Sequence, residues 1–311
     1  MKNPLVSIII PVYNGSNYLK KAIDSALNQT YSNIEIIVVN DGSTDEGKTE
    51  QIAKSYGSKI RYIKKENGGV SSALNEGIRE MKGTYFSWLS HDDEYCADKI
   101  EKQIESLKKV NNPRTVALCG TEFIDEKSNV LDKKWAMQEA GVYSSKEALS
   151  QLTKKTFSGI ALLIPKSAFD ENGLFDESLK YIQDLVMWRS IFLSGYSLVV
   201  VPRTMARSRL HSAQQTNNHR EKFRQETRIT VQKYCEELCE KGYCDIAVEL
   251  WYALLKKEPK QTADLVKEVL RNRKLLNARC EAKGMASSIY GKIRPYIRKA
   301  YYRLRFGIKS E

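Results

Sequence analysis

Two adjacent carboxylates, Asp92 and Asp93, are the strongest chemical signal in the sequence. They follow an apolar and aromatic run at residues 84–89 that predicts a buried strand. Because neighbouring carboxylates repel each other, we expect a positive group beside them. Their oxygen-rich surroundings without thiols favour a hard cation such as Mg²⁺ or Mn²⁺, most naturally one that accompanies substrate phosphates. A solvated turn or a helix start would explain the same pair without any cation.

Four other polar positions have residue types that suit chemistry. Asp41 follows the apolar run 34–39 in a turn, and turn formation alone would explain it. The Asn-Gly-Gly stretch at 67–69 opens a predicted helix, whose first N–H groups either stay solvated or bind an anion. Asp184 begins an amphipathic helix, where it is either a structural carboxylate or a general base within about 2.6–3.2 Å of an acceptor hydroxyl. His211 is a lone histidine, which is more often structural than catalytic.

The elements that must position these residues alternate along the first ninety residues. Short β-branched runs predict strands at 5–11, 34–39, 60–63 and 84–89, and the stretches between them predict helices at about 16–28, 46–56 and 68–81. This alternation is typical of a doubly wound, mostly parallel sheet. Functional groups of such sheets collect at the carboxyl ends of the strands. The polar clusters at 13–14, 40–43 and 90–93 are therefore expected to meet at one edge.

The pattern changes along the rest of the chain. Isolated strands are predicted at 115–119, 160–164 and 198–201, with a helix at 182–194. After residue 211 the sequence predicts helices almost throughout, at roughly 216–240, 245–257, 260–275 and 287–306. The predicted fold is therefore an α/β, Rossmann-like sheet flanked by helices and followed by a helical C-terminal region, with a boundary near residue 215.

Charge is distributed unevenly. The chain of 311 residues carries 50 basic and 38 acidic side chains, a net charge of +12. Residues 267–311 hold 13 of the basic and three of the acidic side chains, so a polyanionic partner is expected for this tail only. No apolar run approaches the roughly 20 residues of a membrane span, and the run at 5–11 is too short for a signal peptide. Six cysteines without paired spacing predict reduced, cytoplasmic thiols.

Taken in order, these clusters resemble the family 2 glycosyltransferases, which have the GT-A fold. The segments that carry the resemblance are VSIIIPVYN (6–14), IIVVNDGSTD (36–45), ENGGVSSALNEGI (66–78), YFSWLSHDDEY (85–95), FDESLKYIQDLVMWR (175–189) and RLHSAQQT (209–216). Each motif is modest by itself, but six in this order are specific. The resemblance implies a catalytic domain at 1–215, with a nucleotide-binding half at 1–95 and an acceptor-binding half at 96–215, followed by a basic helical region at 216–311.

The resemblance also implies roles for individual residues. The residues it assigns to the donor nucleotide are Pro11, Tyr13, Asn14, Asp41, Asn67, Gly68, Asn75, Asp92 and Arg209. Asp41 would read the base, typically uracil. The residues it assigns to Mg²⁺ or Mn²⁺ are Asp92, Asp93 and His211, and Asp184 would be the catalytic base. Two positions depart from the family pattern, because Ser90 replaces the first acid of Asp-x-Asp-Asp and Gln183 replaces the glutamate before the base.

The implied reaction is transfer of a sugar with inversion, from a nucleotide sugar such as a UDP-sugar to a glycan or polyprenol-linked glycan, in bacterial cell-surface polysaccharide synthesis. Two other functions stay open at this point. A nucleotidyltransferase that makes sugar nucleotides shares a similar sheet, but would need a basic glycine-rich loop after the first strand. A nucleic-acid-binding protein would act through the basic tail, although no nucleic-acid-binding module precedes it, and we expect no nucleic-acid partner.

The basic tail suggests where the enzyme works. Residues 285–308 combine an apolar stripe with Lys, Arg, Tyr and Phe, a pattern that favours binding to an anionic membrane surface. Pro295 interrupts or starts this helix. The same pattern would also suit a helix packed on the catalytic domain or on a second copy in a homo-oligomer. The expected location is cytoplasmic and peripheral, at the inner face of the cell membrane.

Overall fold

The computed structural model describes residues 3–134, 138–211, 220–247 and 249–250. Its strands are β1 Val6–Val12, β2 Ile34–Asp41, β3 Arg61–Lys65, β4 Tyr85–Trp88, β5 Glu94–Tyr95, β6 Thr115–Ile124, β7 Val130–Lys134, β8 Gly141–Tyr143, β9 Leu162–Pro165 and β10 Ser197–Arg209. Its helices are α1 Leu19–Leu27, α2 Lys48–Lys54, α3 Val70–Glu80, α4 Lys99–Val110, α5 Ser145–Lys154, α6 Ser167–Asn172, α7 Gln183–Leu193 and α8 Arg220–Glu240.

The strands of the described residues form one sheet, in the order β3-β2-β1-β4-β9-β6-β10-β5, with β7 beside β6 and β8 beside β10. The first four strands in this order are parallel, since β1 pairs with β2 and β4, and β2 pairs with β3. Parallel neighbours need crossover connections, which α1, α2 and α3 supply. The alternation predicted for the first ninety residues is confirmed.

β1 is the central strand of this parallel half. All of its residues are buried, because strands flank both of its edges and α1 and α3 pack against it. Such burial explains a sequence that is apolar except for Ser7 and does not alternate. Helix α3 approaches so closely that a Cβ added at Gly77 would lie 2.4 Å from Ile9 Cγ2. Only glycine fits at this contact.

The other half of the sheet is mixed. β9 is antiparallel to both β4 and β6, whereas β10 is parallel to β6. The register of β10 shifts between Val200 and Ala206, and irregularities of this kind bend a strand. Beyond the shift, β5 pairs with β10 so that Glu94 lies opposite Arg207. The end of β10 therefore lies beside the turn that carries Asp92 and Asp93.

The α/β class with a helix-flanked sheet is confirmed, although the sheet is parallel in one half and mixed in the other. The chain divides into two compact units, of which the first contains residues up to 148 and 155–228, and the second contains 149–154 and the residues from 229 onward. The predicted boundary near 215 stays a prediction. The helices predicted beyond residue 250, and the stretch 285–308, lie outside the described residues. No helix in the described part of the chain is long and apolar enough to cross a bilayer.

Candidate active site

Asn14 forms hydrogen bonds that link the loop after β1 to the loop after β2. Its backbone N–H donates to Ser43 Oγ at 2.9 Å, and its side-chain carbonyl accepts the N–H of Thr44 at 2.7 Å. The φ angle of Asn14 is +50°, a region that asparagine tolerates better than most residues. Pro11 is buried at the end of β1, whereas Tyr13 is 44% exposed. The loop thus fixes the backbone and leaves the Tyr13 ring accessible to a ligand.

Asp41 ends β2 with a buried carboxylate surrounded by donors. Its Oδ1 accepts from Lys65 Nζ at 2.9 Å and from the Gly68 N–H at 3.0 Å, and its Oδ2 accepts the Gly69 N–H at 2.7 Å. Asn67 donates from its side chain to the main-chain carbonyl of Asp41 at 2.9 Å. An ionised carboxylate accepts up to about four hydrogen bonds, so Asp41 keeps acceptor capacity beyond these three, although its side chain is only 4% exposed.

Glycine is required where the loop after β2 meets the start of α3. Gly42 has a φ of +70°, and a Cβ there would lie 2.7 Å from the backbone nitrogen of Asn67. Gly69 has a φ of +88° immediately before α3. Both positions use the left-handed backbone conformation that glycine adopts without steric penalty. The two glycines therefore let the 67–69 loop close against Asp41.

Asp92 and His211 form a polar pair beside the carboxyl end of β4. Asp92 Oδ2 and His211 Nε2 are 2.9 Å apart, and both side chains are mostly buried. The ring of Tyr18 lies against His211, with the centroids 5.3 Å apart. A Cβ added at Gly15 would lie 2.4 Å from His91 Cδ2, so the His91 ring packs onto the loop after β1. Burial lowers the pKa of His91, although Asp92 acts in the opposite direction.

Asp92 and His211 offer one carboxylate and one imidazole as potential ligands of a divalent cation. Their side chains are now joined by the 2.9 Å hydrogen bond, which a cation would have to replace to take both atoms as ligands. One carboxylate and one imidazole leave several coordination positions for water and substrate phosphates, as is usual for Mg²⁺. Among the residues that the structure describes, no cluster of three or more candidate ligands occurs. A cation at this pair would therefore depend on ligands from the substrate.

Asp93 is buried and faces the end of β10 instead. Its Oδ1 accepts the backbone N–H of Arg209 at 2.9 Å, and the Ser208 hydroxyl also donates to it. Burial, and then the charge of Asp92, raises the pKa of Asp93 well above its usual range. The Asp93 carboxyl thus links the turn after β4 to the end of β10. This placement does not fit the predicted role of Asp93 as a metal ligand.

Arg209 lies inside the protein, with no exposed side-chain surface. Its guanidinium donates to the main-chain carbonyls of Asp92 at 2.8 Å and Asp125 at 2.7 Å, and it forms an ion pair with Glu94. It also lies over the ring of Tyr18, 4.6 Å from the centroid. Arg209 therefore contacts the N-cap residue of α1, β5 and the turn after β6. The predicted contact with the donor diphosphate does not fit this burial.

Asp184 lies in the first turn of α7 and is half-buried. Its Oδ1 accepts the N–H of Leu185 at 2.7 Å. Burial raises the pKa of Asp184 from 3.8 to about 6, although the Leu185 N–H and the charge of Arg189 act in the opposite direction. Such a carboxyl is ionised at neutral pH and basic enough to accept a proton from a hydroxyl in a transition state. The Oε1 of the preceding Gln183 is buried and has no hydrogen-bond partner among the described residues.

Asn75, on α3, binds the segment that leads to α7. Its amide donates to the main-chain carbonyl of Phe175 and to Glu177 Oε1, both at 2.9 Å, and its carbonyl accepts the Phe175 N–H at 2.9 Å. Both amide hydrogens are therefore used inside the protein. Asn75 therefore holds the segment at residues 175–177 in position, and its predicted contact with the donor stays a prediction.

The structure collects most predicted residues into two groups. The first group consists of Asp41, Asn67 and Gly68. The second consists of Asp92, Asp93, Arg209 and His211. Asp184 has no hydrogen bond to either group within the described part of the chain. The sequence analysis did not identify Lys65, which the parallel register of β2 and β3 places directly opposite Asp41. Parallel pairing of the two predicted strands was the signal that could have identified it.

The chain is similar to known proteins in sequence and in fold. A glycosyltransferase of Rickettsia prowazekii is 52% identical over 220 residues, which cover 69% of this chain and 67% of that protein. Chondroitin synthase of Pasteurella multocida is 44% identical over 108 residues, 34% of this chain and 11% of that enzyme. The crystal structure of TarS from S. aureus in complex with UDP-GlcNAc superposes with a TM-score of 0.69 at 17% identity, over 98% of this chain and 93% of TarS.

The likeness to TarS concerns the fold, and it confirms the GT-A architecture that the sequence resemblance implied. The family assignment rests on sequence. Residues 7–173, more than half of the chain, match the family described as glycosyl transferase family 2. The relative from R. prowazekii, at 52% identity, bears the name of an uncharacterized glycosyltransferase. Both matches are to glycosyltransferases rather than to a nucleotidyltransferase or a nucleic-acid-binding protein, and the chain belongs to glycosyltransferase family 2.

Proposed function

We propose that this glycosyltransferase moves a sugar, with inversion, from a UDP-sugar to a hydroxyl of a glycan or lipid-linked glycan. The proposal rests on the environment of the Asp184 carboxyl. This group is half-buried at the start of α7, and burial raises its pKa to about 6. An inverting transfer needs one general base and no covalent intermediate on the protein. Asp184 has the exposure and the pKa for that task.

The donor site proposed here uses the carboxyl ends of β1 and β2. The exposed ring of Tyr13 offers a stacking surface for a base. The remaining acceptor capacity of Asp41 would bind a donor N–H on that base, as uracil provides. TarS, which shares the fold, was crystallised with UDP-GlcNAc, and chondroitin synthase is a sequence relative over part of the chain. The TarS complex supports a UDP-sugar donor, and the name of chondroitin synthase supports a glycan acceptor.

Asp92 and His211 are the residues that we propose for Mg²⁺ or Mn²⁺. When bound, the cation would neutralise charge on the donor diphosphate. Asp93 stays out of this set because its carboxyl is buried against the end of β10. Metal dependence of the reaction is part of the proposal.

The proposed chemistry is a single displacement. Asp184 accepts the proton of the acceptor hydroxyl as that oxygen forms a bond to the anomeric carbon. The bond from the anomeric carbon to the diphosphate oxygen breaks at the same time, and the nucleoside diphosphate leaves with the electron pair. Because attack and departure occur on opposite faces, the configuration inverts.

Substitution of Asp184 by Asn tests the proposal. We expect Asp184→Asn to abolish release of UDP from UDP-GlcNAc, or from whichever donor of a UDP-sugar panel the wild type uses. Donor binding, measured by calorimetry, should persist because the nucleotide site lies elsewhere. Asp170→Asn is the matched control, since Asp170 is an exposed aspartate at the start of α6. An Asp184→Asn protein that retains wild-type turnover would remove Asp184 from the reaction.

We further propose that the enzyme acts in cell-surface polysaccharide synthesis at the inner face of the membrane. The support is the basic and apolar composition of residues 285–308. Removal of the chain beyond residue 284 should abolish sedimentation with anionic vesicles. Unchanged sedimentation would overturn this part of the proposal.

A further inference from the structure

Helix α7, which carries Asp184, begins without a side-chain cap of its own. Ile182 occupies the N-cap position of α7, and its side chain cannot accept a hydrogen bond. Polar caps such as Ser, Thr, Asp or Asn usually fill this position and fix the start of a helix. The partial positive charge of the helix dipole also lies at this end. The start of α7 therefore needs an acceptor from another part of the protein.

Glu226, on α8, supplies that acceptor. One carboxylate oxygen accepts the backbone N–H of Lys180 at 2.8 Å. The other accepts those of Tyr181 at 2.8 Å and Ile182 at 3.2 Å. Three successive backbone N–H groups thus converge on one carboxylate, as in the anion-binding nests of other proteins. Glu226 lies 44 residues from Ile182 in sequence, so this contact is tertiary and specific to the fold.

The same segment is fixed at its other end by Asn75. The Asn75 side chain exchanges two hydrogen bonds with the backbone of Phe175 and donates a third to Glu177. Residues 175–182 are therefore held at both ends by polar side chains from α3 and α8. Asp184 follows two residues after the Glu226 contact and moves with the start of the helix.

We propose that Glu226 is a positioning residue for the transfer reaction, because it fixes the backbone that carries Asp184. The inference rests on the proposed role of Asp184 as the base. Charge-assisted hydrogen bonds are stronger and shorter than neutral ones, and three of them define the position of the backbone closely. A shift of about 1 Å in a reacting group lowers turnover by about 100-fold. The Glu226 carboxylate therefore sets the reach of Asp184 toward the acceptor.

Two substitutions separate the charge of Glu226 from its bulk. Glu226→Ala removes the acceptor and leaves a space beside three N–H groups. Glu226→Gln fills the space, but its NH₂ group replaces one of the two accepting oxygens and faces backbone N–H donors. Glu240→Ala is the matched control, because Glu240 is an exposed glutamate at the end of the same helix. All variants are made in the full-length chain and compared for thermal unfolding.

The readout is UDP release from UDP-GlcNAc, or from the donor that the panel identifies, with kcat and the donor KM measured separately. We expect Glu226→Ala to lower kcat by about 10- to 100-fold with an unchanged donor KM. Glu226→Gln should lie between this variant and the wild type, and Glu240→Ala should equal the wild type. Sodium formate should restore part of the turnover of Glu226→Ala by occupying the nest. Formamide, which is neutral, should not.

The outcomes distinguish this inference from the proposed function. If Asp184→Asn keeps wild-type turnover, the base assignment fails and the inference fails with it. If Asp184→Asn is inactive but Glu226→Ala keeps the wild-type kcat, only the inference is overturned. A Glu226→Ala protein whose donor KM rises while its kcat stays constant also overturns it. Should Glu226→Ala fail to fold, the Glu226→Gln variant decides, because wild-type kcat in that variant contradicts the positioning role.

Discussion

Turnover is expected to fall with decreasing pH through a titration near pH 6. Burial raises the pKa of Asp184 from 3.8 to about 6, and only the ionised carboxylate can accept the acceptor proton. Turnover should therefore be nearly complete at pH 7, half-maximal near pH 6 and about one tenth of its maximum at pH 5. For an ordinary exposed aspartate, turnover would stay near its maximum down to about pH 5.

The same shift has a consequence for stability. A shift of about two pKa units corresponds to about 3 kcal/mol, and partial exposure of Asp184 reduces the expected effect to about 1–3 kcal/mol. Because the folded-state pKa is raised, ionisation opposes folding above pH 6, and this penalty disappears below the ordinary value of 3.8. We expect Asp184→Asn to be more stable than the wild type at pH 7 and to lose this advantage towards pH 4.

The assay is initial-rate UDP release at saturating donor from pH 4.5 to 8, at constant ionic strength, because kcat then reports the ionisation of the enzyme–substrate complex. Urea unfolding at each pH serves as the control for loss of the fold. A kcat profile with its midpoint near pH 4 would refute the argument from burial. A flat profile over the whole range, with the protein still folded, would refute the role of Asp184 as base.

Three further predictions concern buried polar groups. Burial among neutral partners lowers the pKa of Lys99 from 10.5 to about 8. As the pH rises from 8 to 10.5, the wild type should therefore gain up to about 3 kcal/mol in free energy of unfolding relative to Lys99→Met. Urea unfolding at each pH measures this difference, and a difference that does not change with pH would contradict the prediction. Asn75→Ala should lower kcat and melting temperature together, and an unchanged kcat would remove its positioning role. His211→Ala should raise the Mn²⁺ concentration for half-maximal activity by about tenfold or more, and an unchanged requirement would exclude it as a ligand.

The parallel half of the sheet was predictable because its signals are local. β1 is apolar except for Ser7, and the turn residues after it and after β2 have specific backbone requirements. The strand predicted at 34–39 extends in the structure to Asp41, which places the carboxylate on the sheet and not in a free turn. Strand β5 was not predictable, since two residues carry no periodicity and its pairing with β10 is distant in sequence.

The roles of individual site residues were less predictable than their positions. Family motifs placed Arg209 and Asn75 in the candidate site. The motifs do not specify how many hydrogen-bond partners the two side chains have inside the protein. Arg209 is buried against Glu94 and main-chain carbonyls, and Asn75 is bound to residues 175–177. Glu226 has no motif at all, because its function depends on three backbone N–H groups that only the folded chain brings together.

The repulsion between Asp92 and Asp93 is resolved by placing the two carboxyls in different environments. Asp93 is buried against the backbone N–H of Arg209, where its pKa is raised. The guanidinium of the same Arg209 binds the main-chain carbonyl of Asp92 and so leaves the Asp92 carboxylate to His211. One arginine thereby fixes both acids without neutralising the one that faces His211. The positive group expected beside the pair is thus partly internal, and under the proposed function the Asp92 carboxylate would bind a cation that arrives with the substrate.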